Sequence, residues 1–593
     1  MRRAVVVVLA LFGGLALLAV VVALVVGIIA FSSKGSIPRK TILEVDLEHA
    51  YDEYVPDEPI TALLSGKKTT VIELVEALER AAQDDRVAGL VAKVGSAGMG
   101  LARLQEIRDA VAVFRKSGKP AVAWSETFGE FSAGNGAYFL ATGFDQIYLQ
   151  PSGDVGLTGL MAESPFLRGT LDKIGVVPRM DHRYEYKNAM NIFTEKGYTD
   201  PHKEATVSLM ESQFAQIVQG IAEARKVSED EVRALADRGP FLGDEAVAAK
   251  LVDGLAYRDE VYAKIKEKVG GKPELLYLDK YLGRAGKHNT RGPKIALVYG
   301  VGNVTRGEGG FDPLFGETSM GSDTVAGGLR AAADDPDVKA ILFRVDSPGG
   351  SYVASDTIWR EVVRAREKKK PVIVSMGDVA ASGGYFVSMN ADKIVAQPGT
   401  ITGSIGVLAG KMYTKEMWGK LGLNWDEVHT SKNATMFTGT VDYTPEEWAR
   451  FESWLDRIYA DFTGKVAAGR KLDKAKVLEI AKGRVWTGAQ AKGLGLVDAL
   501  GGFPVALALA KEAAHLPADQ AVRLQQYPRR KSAFEALFGE SGENSEDQGT
   551  QAMVSTLRLV QPLARRLRDL GLLGDHDVLR LPPEAVPVLD RME

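Results

Sequence analysis

One series of short motifs occurs twice in this chain, in the same order and at a nearly constant distance. The matched segments are Asp84–Val87 with Asp335–Val338, Lys119–Pro120 with Lys370–Pro371, Gly134–Phe139 with Ala381–Phe386, Lys187–Ala189 with Lys432–Ala434, and Leu251–Asp253 with Leu496–Asp498. The matches lie 245 to 251 positions apart (498 − 253 and 338 − 87). A repeat of this length predicts two copies of one domain, meeting near residues 283–293. They are called the N-terminal copy and the C-terminal copy below.

Within each copy, short apolar runs alternate with helical periodicity. In the C-terminal copy, Ile295–Tyr299, Ala340–Val345 and Pro371–Ser375 read as strands, and residues 354–368 between the last two read as a helix. Buried strands joined by helices indicate an α/β fold with a mostly parallel sheet covered by helices. A chain of 593 residues also exceeds what one hydrophobic core usually organises.

The two ends of the chain differ from the repeated part. Residues 4–31 contain no charged residue, and as a helix they exceed the roughly 30 Å of a bilayer core. No convincing small-x-small cleavage site precedes Ser32, so a retained anchor over residues 1–34 is favoured over a cleaved signal peptide. Basic residues on both sides leave its orientation open. Residues 539–593 read as a polar linker and an amphipathic helix, which either docks on its own domain or contacts a membrane or partner.

Composition excludes several classes of function. The formal net charge of −4 gives no support to nucleic-acid binding, and the absence of cysteine excludes disulfides and thiolate chemistry. Neither a His-Glu-x-x-His motif nor a phosphate-binding Gly-x-x-x-x-Gly-Lys-Ser/Thr motif is present. We therefore expect no metal and no cofactor.

Two glycine-rich turns of the C-terminal copy follow neighbouring predicted strands. Residues 346–350 (Asp-Ser-Pro-Gly-Gly) follow one strand, and residues 380–384 (Ala-Ala-Ser-Gly-Gly) follow the next. Because the carboxyl ends of parallel strands lie at one edge of the sheet, we expect these two turns to approach each other. Their glycines leave backbone N–H groups free to bind an oxygen atom. Ser382 is favoured as a nucleophile over the nearby serines Ser347, Ser351 and Ser355.

The repeat separates an intact site from a degraded one. The N-terminal copy has Asn135 in place of Ser382 and Met99 in place of Gly350. None of the seven histidines has an evident acidic partner in sequence, so a lysine is the alternative base. A free lysine has a pKa near 10.4 and must lose water or face another cation to act at neutral pH. The repeated Lys187 and Lys432 are the candidates.

Four motifs carry a family resemblance. They are Ser-Pro-Gly-Gly-Ser (347–351), Ala-Ala-Ser-Gly-Gly-Tyr (380–385), Thr-Gly-Ser-Ile-Gly-Val (402–407) and Gly-Arg-Val-Trp-Thr-Gly (483–488). In this order and spacing the chain resembles the long, tandem form of bacterial signal peptide peptidase A (protease IV), from the anchor to about residue 515.

The resemblance implies a ClpP/crotonase-like domain in each copy, over residues 40–283 and 294–515. It also implies a serine endopeptidase in which the C-terminal copy supplies Ser382 and the N-terminal copy supplies Lys187. Ser404 matches a serine that orients the lysine. Gly349, Gly350 and Gly383 are the candidate oxyanion donors. Lys432 remains as an alternative base, because it would pair with Ser382 if both came from one copy.

The resemblance further implies a homotetramer that degrades signal peptides and other membrane-derived peptides. The catalytic part would lie on the extracytoplasmic side of the inner (cytoplasmic) membrane, with a single anchor helix. Two alternatives stay open: a crotonase-like acyl-CoA enzyme, and an inactive membrane scaffold of the same fold.

Overall fold

The structure is a computed structural model that describes residues 35–55, 68–95, 98–286, 288–309, 311–312 and 317–528. The predicted anchor at residues 1–34 and the predicted tail at residues 539–593 lie outside these ranges. Within the described ranges, no helix combines the length and the apolar character needed to cross a bilayer.

The N-terminal copy alternates strands with helices. Its strands are β1 (Thr41–Leu47), β2 (Val87–Val94), β3 (Ala121–Ser125), β4 (Gln146–Leu149), β5 (Asp154–Val155), β6 (Val177–His182), β7 (Phe241–Leu242), β8 (Gly254–Leu255) and β9 (Glu274–Tyr277). Its helices are α1 (Val71–Gln83), α2 (Leu101–Lys116), α3 (Asn135–Ala141), α4 (Arg168–Ile174), α5 (Asn191–Thr194), α6 (Asp200–Arg225), α7 (Glu229–Arg238), α8 (Gly243–Ala248), α9 (Arg258–Val269) and α10 (Leu278–Ala285). A short 3₁₀ turn covers Asn188–Met190.

The C-terminal copy repeats this alternation. Its strands are β10 (Lys294–Val301), β11 (Asn303–Thr305), β12 (Phe311–Asp312), β13 (Glu317–Gly321), β14 (Val338–Ser347), β15 (Val372–Ala381), β16 (Lys393–Ala396), β17 (Ile401–Gly403), β18 (Leu408–Tyr413), β19 (Val485–Thr487), β20 (Ala499–Leu500) and β21 (Arg523–Tyr527). Its helices are α11 (Ser322–Asp334), α12 (Tyr352–Glu367), α13 (Gly383–Ser388), α14 (Lys415–Lys420), α15 (Pro445–Arg470), α16 (Lys474–Ile480), α17 (Gly488–Gly493) and α18 (Phe503–Ala513).

The main sheets of the two copies have the same strand order. The N-terminal sheet runs β8-β4-β3-β2-β1-β9, and its strands pair in parallel. The C-terminal sheet contains the corresponding order β20-β16-β15-β14-β10-β21, also parallel. The predicted strands and helix of the C-terminal copy are therefore confirmed as β10, β14, β15 and α12, and the parallel α/β fold with them.

The C-terminal sheet extends further than its counterpart. Strand β15 continues past its pairing with β16 and pairs with β17, which in turn pairs antiparallel with β19. This extension carries the turn that contains Ser382. Strand β21 lies beyond residue 515, the predicted end of the copy, whereas its counterpart β9 lies within the predicted N-terminal range.

Each sheet is covered by helices on both faces, because its strands point apolar side chains alternately up and down. In β10, Ala296 and Val298 join the core beneath α11 and α12, whereas Ile295 and Leu297 pack against α18 on the other face. The N-terminal sheet is built the same way, with α1 and α2 on one face and α9 on the other.

The two copies are joined by a strand pairing and by polar contacts. Strand β6 of the N-terminal copy pairs antiparallel with β18 of the C-terminal copy along their full lengths, from Val177 opposite Tyr413 to His182 opposite Leu408. The beginning of α2 packs against the C-terminal copy, where the Gly399 N–H donates to Gln105 Oε1 at 2.7 Å. These contacts fix the position of the segment that follows β6, which contains Lys187.

Candidate active site

Ser382 occupies a sharp turn between strand β15 and helix α13. Its backbone has φ 52° and ψ −115°, a conformation that a non-glycine residue adopts only where the surrounding structure holds it. Two backbone hydrogen bonds do so: the Ser382 N–H donates to the Gly403 carbonyl, and the Phe386 N–H donates to the Ser382 carbonyl, both at 2.9 Å. The turn therefore fixes a hydroxyl at the end of the strand.

Small residues around Ser382 allow the two glycine turns to approach closely. A Cβ added to Gly384 would lie 2.5 Å from the Ser347 carbonyl oxygen, and one added to Gly349 would lie 2.7 Å from the Ser382 Cβ. Gly349 also has φ +114°, which disfavours any residue with a side chain. The predicted proximity of the two turns is confirmed.

Lys187 reaches Ser382 from the other copy. Its Nζ donates hydrogen bonds to Ser382 Oγ at 3.0 Å, to Ser404 Oγ at 2.8 Å and to the Ser404 carbonyl at 3.2 Å. Lys187 is 4% exposed and Ser404 is 7% exposed. The structure thus brings together the three side chains that the resemblance selects, at distances that permit proton transfer between lysine and serine.

Backbone of the C-terminal copy forms the slot through which Lys187 passes. Gly483 lies against it: a Cβ at this position would be 2.5 Å from Lys187 Cβ. The Gly483 N–H donates to the Ile405 carbonyl at 2.8 Å, and the Tyr186 N–H donates to the Lys482 carbonyl at 3.2 Å. Gly483 belongs to the motif at residues 483–488, but the motif alone indicates no role for it, because its contact with Lys187 exists only in the folded structure.

An ion pair between the copies closes the outer side of this slot. Arg484 donates to both carboxylate oxygens of Glu204 at 2.6 and 2.8 Å. Its guanidinium also lies 4.9 Å from the ring centre of Tyr186 and 4.5 Å from that of Trp486. Tyr186, which directly precedes Lys187, therefore contacts the C-terminal copy through both its N–H group and its ring.

Of the candidate oxyanion donors, Gly350 and Gly383 have the more suitable N–H groups. The Gly349 N–H donates to Ser347 Oγ at 3.2 Å, which leaves it engaged. Gly383 is the first residue of α13, where the N–H has no partner within the helix. A Cβ added to Gly383 would lie 3.2 Å from the Gly350 nitrogen, so the N–H groups of these two glycines are close to each other and to Ser382.

The other serines near the first turn have structural hydrogen bonds. Ser347 Oγ donates to the Gly302 carbonyl at 2.6 Å, in addition to accepting from Gly349. Ser351 Oγ accepts from the Ala354 N–H at the start of α12, and Ser355 Oγ donates to the Ser351 carbonyl. In the described part of the chain, none of these hydroxyls forms a hydrogen bond with a lysine.

The equivalent position in the N-terminal copy has no such chemistry. Asn135 is 4% exposed, accepts hydrogen bonds from the N–H groups of Thr158 and Gly159, and donates to the Gly159 carbonyl at 2.8 Å. Lys432, the alternative base, is exposed in the turn before Phe437. The structure brings Lys187, and not Lys432, to Ser382.

One group of side chains has spacing that suits a metal ion, and it lies apart from these turns in sequence. Asp46, Glu48 and His49 follow one another at the end of β1, with Asp46 and His49 exposed. Glu48 is already paired with Lys93 at 2.6 Å. Among the described residues, no such group includes Ser382, Lys187 or their neighbours.

Comparison with known proteins identifies the family. The model of peptidase family S49 matches residues 113–272 and 364–517, one region in each copy. The chain is 30% identical over 509 residues to "Serine protease SPPA, chloroplastic" of Arabidopsis thaliana, covering 84% of this chain and 73% of that protein. It is 30% identical over 584 residues to "Protease 4" of Haemophilus influenzae, covering 93% and 92%.

A shorter relative matches in one region. "Putative signal peptide peptidase SppA" of Enterococcus faecium is 34% identical over 173 residues, which cover 29% of this chain and 50% of that protein. With an α/β fold in two copies and a serine-containing turn, the chain belongs to peptidase family S49. It is a serine peptidase of the signal peptide peptidase type, with tandem domains.

Proposed function

We propose that this peptidase acts through a Ser382/Lys187 dyad shared between its two copies. The observation that supports the proposal is the 3.0 Å hydrogen bond between Lys187 Nζ and Ser382 Oγ in a buried setting. A lysine acts as a base only when its amine is neutral, and removal from water disfavours the charged form. A neutral amine at this distance accepts the serine proton instead of donating its own.

The reaction follows from this geometry. Ser382 Oγ attacks the carbonyl carbon of the scissile peptide while its proton passes to Lys187 Nζ. The N–H groups of Gly350 and Gly383 stabilise the oxyanion, and the departing amine takes the proton from Lys187. Water then gives a proton to Lys187 and attacks the acyl-enzyme ester. As the acid product leaves, Ser382 Oγ takes that proton from Lys187, which restores the serine hydroxyl and the neutral amine. Ser404 orients Lys187 through the 2.8 Å hydrogen bond between their side chains.

We further propose membrane anchoring and membrane-derived substrates. The support is the charge-free stretch at residues 4–31, long enough to cross a bilayer as a helix. Attachment there would place the enzyme beside signal peptides released into the membrane. The proposal also includes location in the inner membrane with an extracytoplasmic catalytic part, a homotetramer, and a ClpP/crotonase-like form of each copy. These parts rest on the motif resemblance.

Reaction with a fluorophosphonate tests the dyad and separates it from the two alternatives. The intact chain, purified in detergent, is treated with a fluorescent fluorophosphonate and assayed with a fluorogenic apolar peptide. We expect labelling and hydrolysis in the wild type and neither in Ser382→Ala. Unchanged hydrolysis by Ser382→Ala would overturn the proposal. A wild type that neither reacts nor hydrolyses would favour an acyl-CoA enzyme or an inactive scaffold.

A further inference from the structure

A buried cluster of charged side chains lies where the two copies meet. The N-terminal copy contributes Glu53, Arg103 and Glu106, and the C-terminal copy contributes Arg344, Asp346 and Asp378. The most enclosed members are Arg344, Glu53 and Glu106, whose side chains are at most 2% exposed. Four carboxylates surround two guanidinium groups, and ionic attraction is strong where water is excluded.

Two members of the cluster flank the active-site turns. Asp346 is the first residue of the turn at residues 346–350, which contains Gly350, and Asp378 lies in β15 four positions before Ser382. Asp346 Oδ1 accepts a hydrogen bond from the Val379 N–H at 2.9 Å, where the pairing of β14 with β15 shifts register. The carboxylates therefore stand at the base of the two turns whose spacing defines the site.

Arg103 of the N-terminal copy binds both carboxylates. Its Nη2 donates to Asp346 Oδ2 at 3.1 Å, and its Nε lies 2.6 Å from Asp378 Oδ2. Its Nη1 donates to the Tyr51 carbonyl at 3.2 Å, which ties the same guanidinium to its own copy. A planar guanidinium can hold two carboxylates at a fixed separation, which the single ammonium of a lysine does less rigidly.

Asp378 is also held by the beginning of helix α2. It accepts hydrogen bonds from the N–H groups of Gly100 at 3.1 Å and Arg103 at 2.9 Å. Gly100 is the residue that precedes the helix and has no side chain to cap it, so the carboxylate of the other copy takes that role. A Cβ on Gly100 would lie 2.4 Å from the Asp378 carboxyl carbon, so the contact leaves no spare room.

We propose that Arg103 is a positioning residue for peptide hydrolysis: it sets the separation of Asp346 and Asp378, and through them the separation of the turns that carry Gly350 and Ser382. The inference rests on the proposed function of those two turns. A displacement of about 1 Å at a catalytic group is enough to slow a reaction about 100-fold. The N-terminal copy would then contribute two residues to the reaction, Lys187 as the base and Arg103 as a positioning residue.

The test uses the intact chain in detergent with Arg103→Met, Arg103→Lys and the control Arg115→Met. Arg115 lies on the same helix α2 and pairs with Asp145 at the surface, where both side chains are about one-third exposed. We expect kcat for the fluorogenic peptide to fall about 100-fold in Arg103→Met and about 10-fold in Arg103→Lys, with KM within threefold of the wild type. Arg115→Met should match the wild type.

Fluorophosphonate labelling distinguishes positioning from loss of folded protein. A variant that is only less folded labels a smaller fraction of chains at the wild-type rate, whereas a mispositioned site labels completely but slowly. We expect Arg103→Met to label completely at a rate at least 10-fold lower. Wild-type kcat and labelling rate in that variant, with Ser382→Ala inactive, would overturn the inference and leave the dyad intact. Activity in Ser382→Ala would overturn the dyad itself.

Asp346→Asn keeps the test decisive should Arg103→Met fail to fold. This substitution preserves the side-chain size but weakens the contact with Arg103. If Arg103 acts through Asp346, adding Arg103→Lys to Asp346→Asn will lower kcat by less than the 10-fold expected in the wild-type background. Full additivity of the two effects would contradict the inference.

Discussion

Lys187 Nζ lies 3.0 Å from Ser382 Oγ, although 195 positions separate the two residues and they belong to different copies of the repeated domain. The pairing of β6 with β18 places the lysine, and the extension of β15 places the serine. The candidate site thus combines residues of both copies, and the N-terminal copy has Asn135 at the position that corresponds to Ser382.

Replacement of Lys187 should abolish hydrolysis, whereas replacement of Lys432 should not. Lys187→Met retains the length of the side chain but removes the amine, and loss of a general base costs about 100- to 10,000-fold in kcat. Lys432→Met is the matched control, since this residue is exposed and has the same Asn-Ala sequence after it. Loss of activity in Lys432→Met, with Lys187→Met active, would move the base to the C-terminal copy.

Gly483→Ala should disable the dyad although it replaces neither of its two residues. The new Cβ would lie 2.5 Å from Lys187 Cβ, at a position whose φ of +82° also disfavours alanine. We expect kcat to fall about 100-fold as Lys187 is displaced. Gly493→Ala serves as the control, because nothing lies within 4 Å of its added Cβ, and it should retain wild-type kinetics. Equal activity of the two variants would show that the slot tolerates a side chain.

Loss of the Arg344 guanidinium should destabilise the contact between the copies. Arg344 is 0% exposed and pairs with Glu53 at 2.8 Å and Glu106 at 2.7 Å. Arg344→Met leaves buried carboxylates without their cation, which costs about 3 to 5 kcal/mol and lowers the thermal midpoint by roughly 6 °C or more.

The control for that measurement is Arg360→Met. Arg360 pairs with Glu367 at 3.1 Å, and both side chains are about half-exposed. A surface pair contributes about 0 to 1 kcal/mol, so the midpoint should change little. A similar midpoint for both variants would mean that the buried cluster contributes no more than a surface pair.

The stability of the protein should depend on Asp346 between about pH 4 and pH 6. Burial raises the pKa of Asp346 to about 6, with Glu53 and Asp378 adding to the rise and Arg103 opposing it. The folded state therefore keeps a proton that the unfolded chain releases near pH 4. The contribution of this carboxyl to the free energy of unfolding is fully present below about pH 4 and is lost as the pH rises through 6.

Asp346→Asn removes this dependence. One pKa unit corresponds to about 1.4 kcal/mol, so the free energy of unfolding of the variant relative to the wild type should increase by about 2 kcal/mol from pH 4 to pH 6.5. Thermal midpoints measured across this range provide the check. Asp145→Asn is a surface control, and it should track the wild type. A constant difference between Asp346→Asn and the wild type would show that Asp346 titrates normally in the folded protein.

The repeat, the α/β class and the turn that contains Ser382 could all be predicted from the amino-acid sequence. These features are local: apolar runs define strands such as β10 and β14, and glycines mark the turns at residues 346–350 and 380–384. The choice of Ser382 over Ser347 also came from sequence, through its replacement by Asn135 in the other copy. The structure agrees with that choice, because the Ser347 hydroxyl is engaged by Gly302 and Gly349.

Which lysine lies beside Ser382, and which contacts hold the site in place, depend on how the two copies pack together. Lys187 and Lys432 have the same local sequence, and their environments differ because β6 pairs with β18 across the copies. Arg103 gave no indication of a role in sequence, since an arginine on an amphipathic helix is ordinarily a surface residue. Its contacts with Asp346 and Asp378 arise from residues about 240 to 280 positions away, brought together only by packing of the two copies.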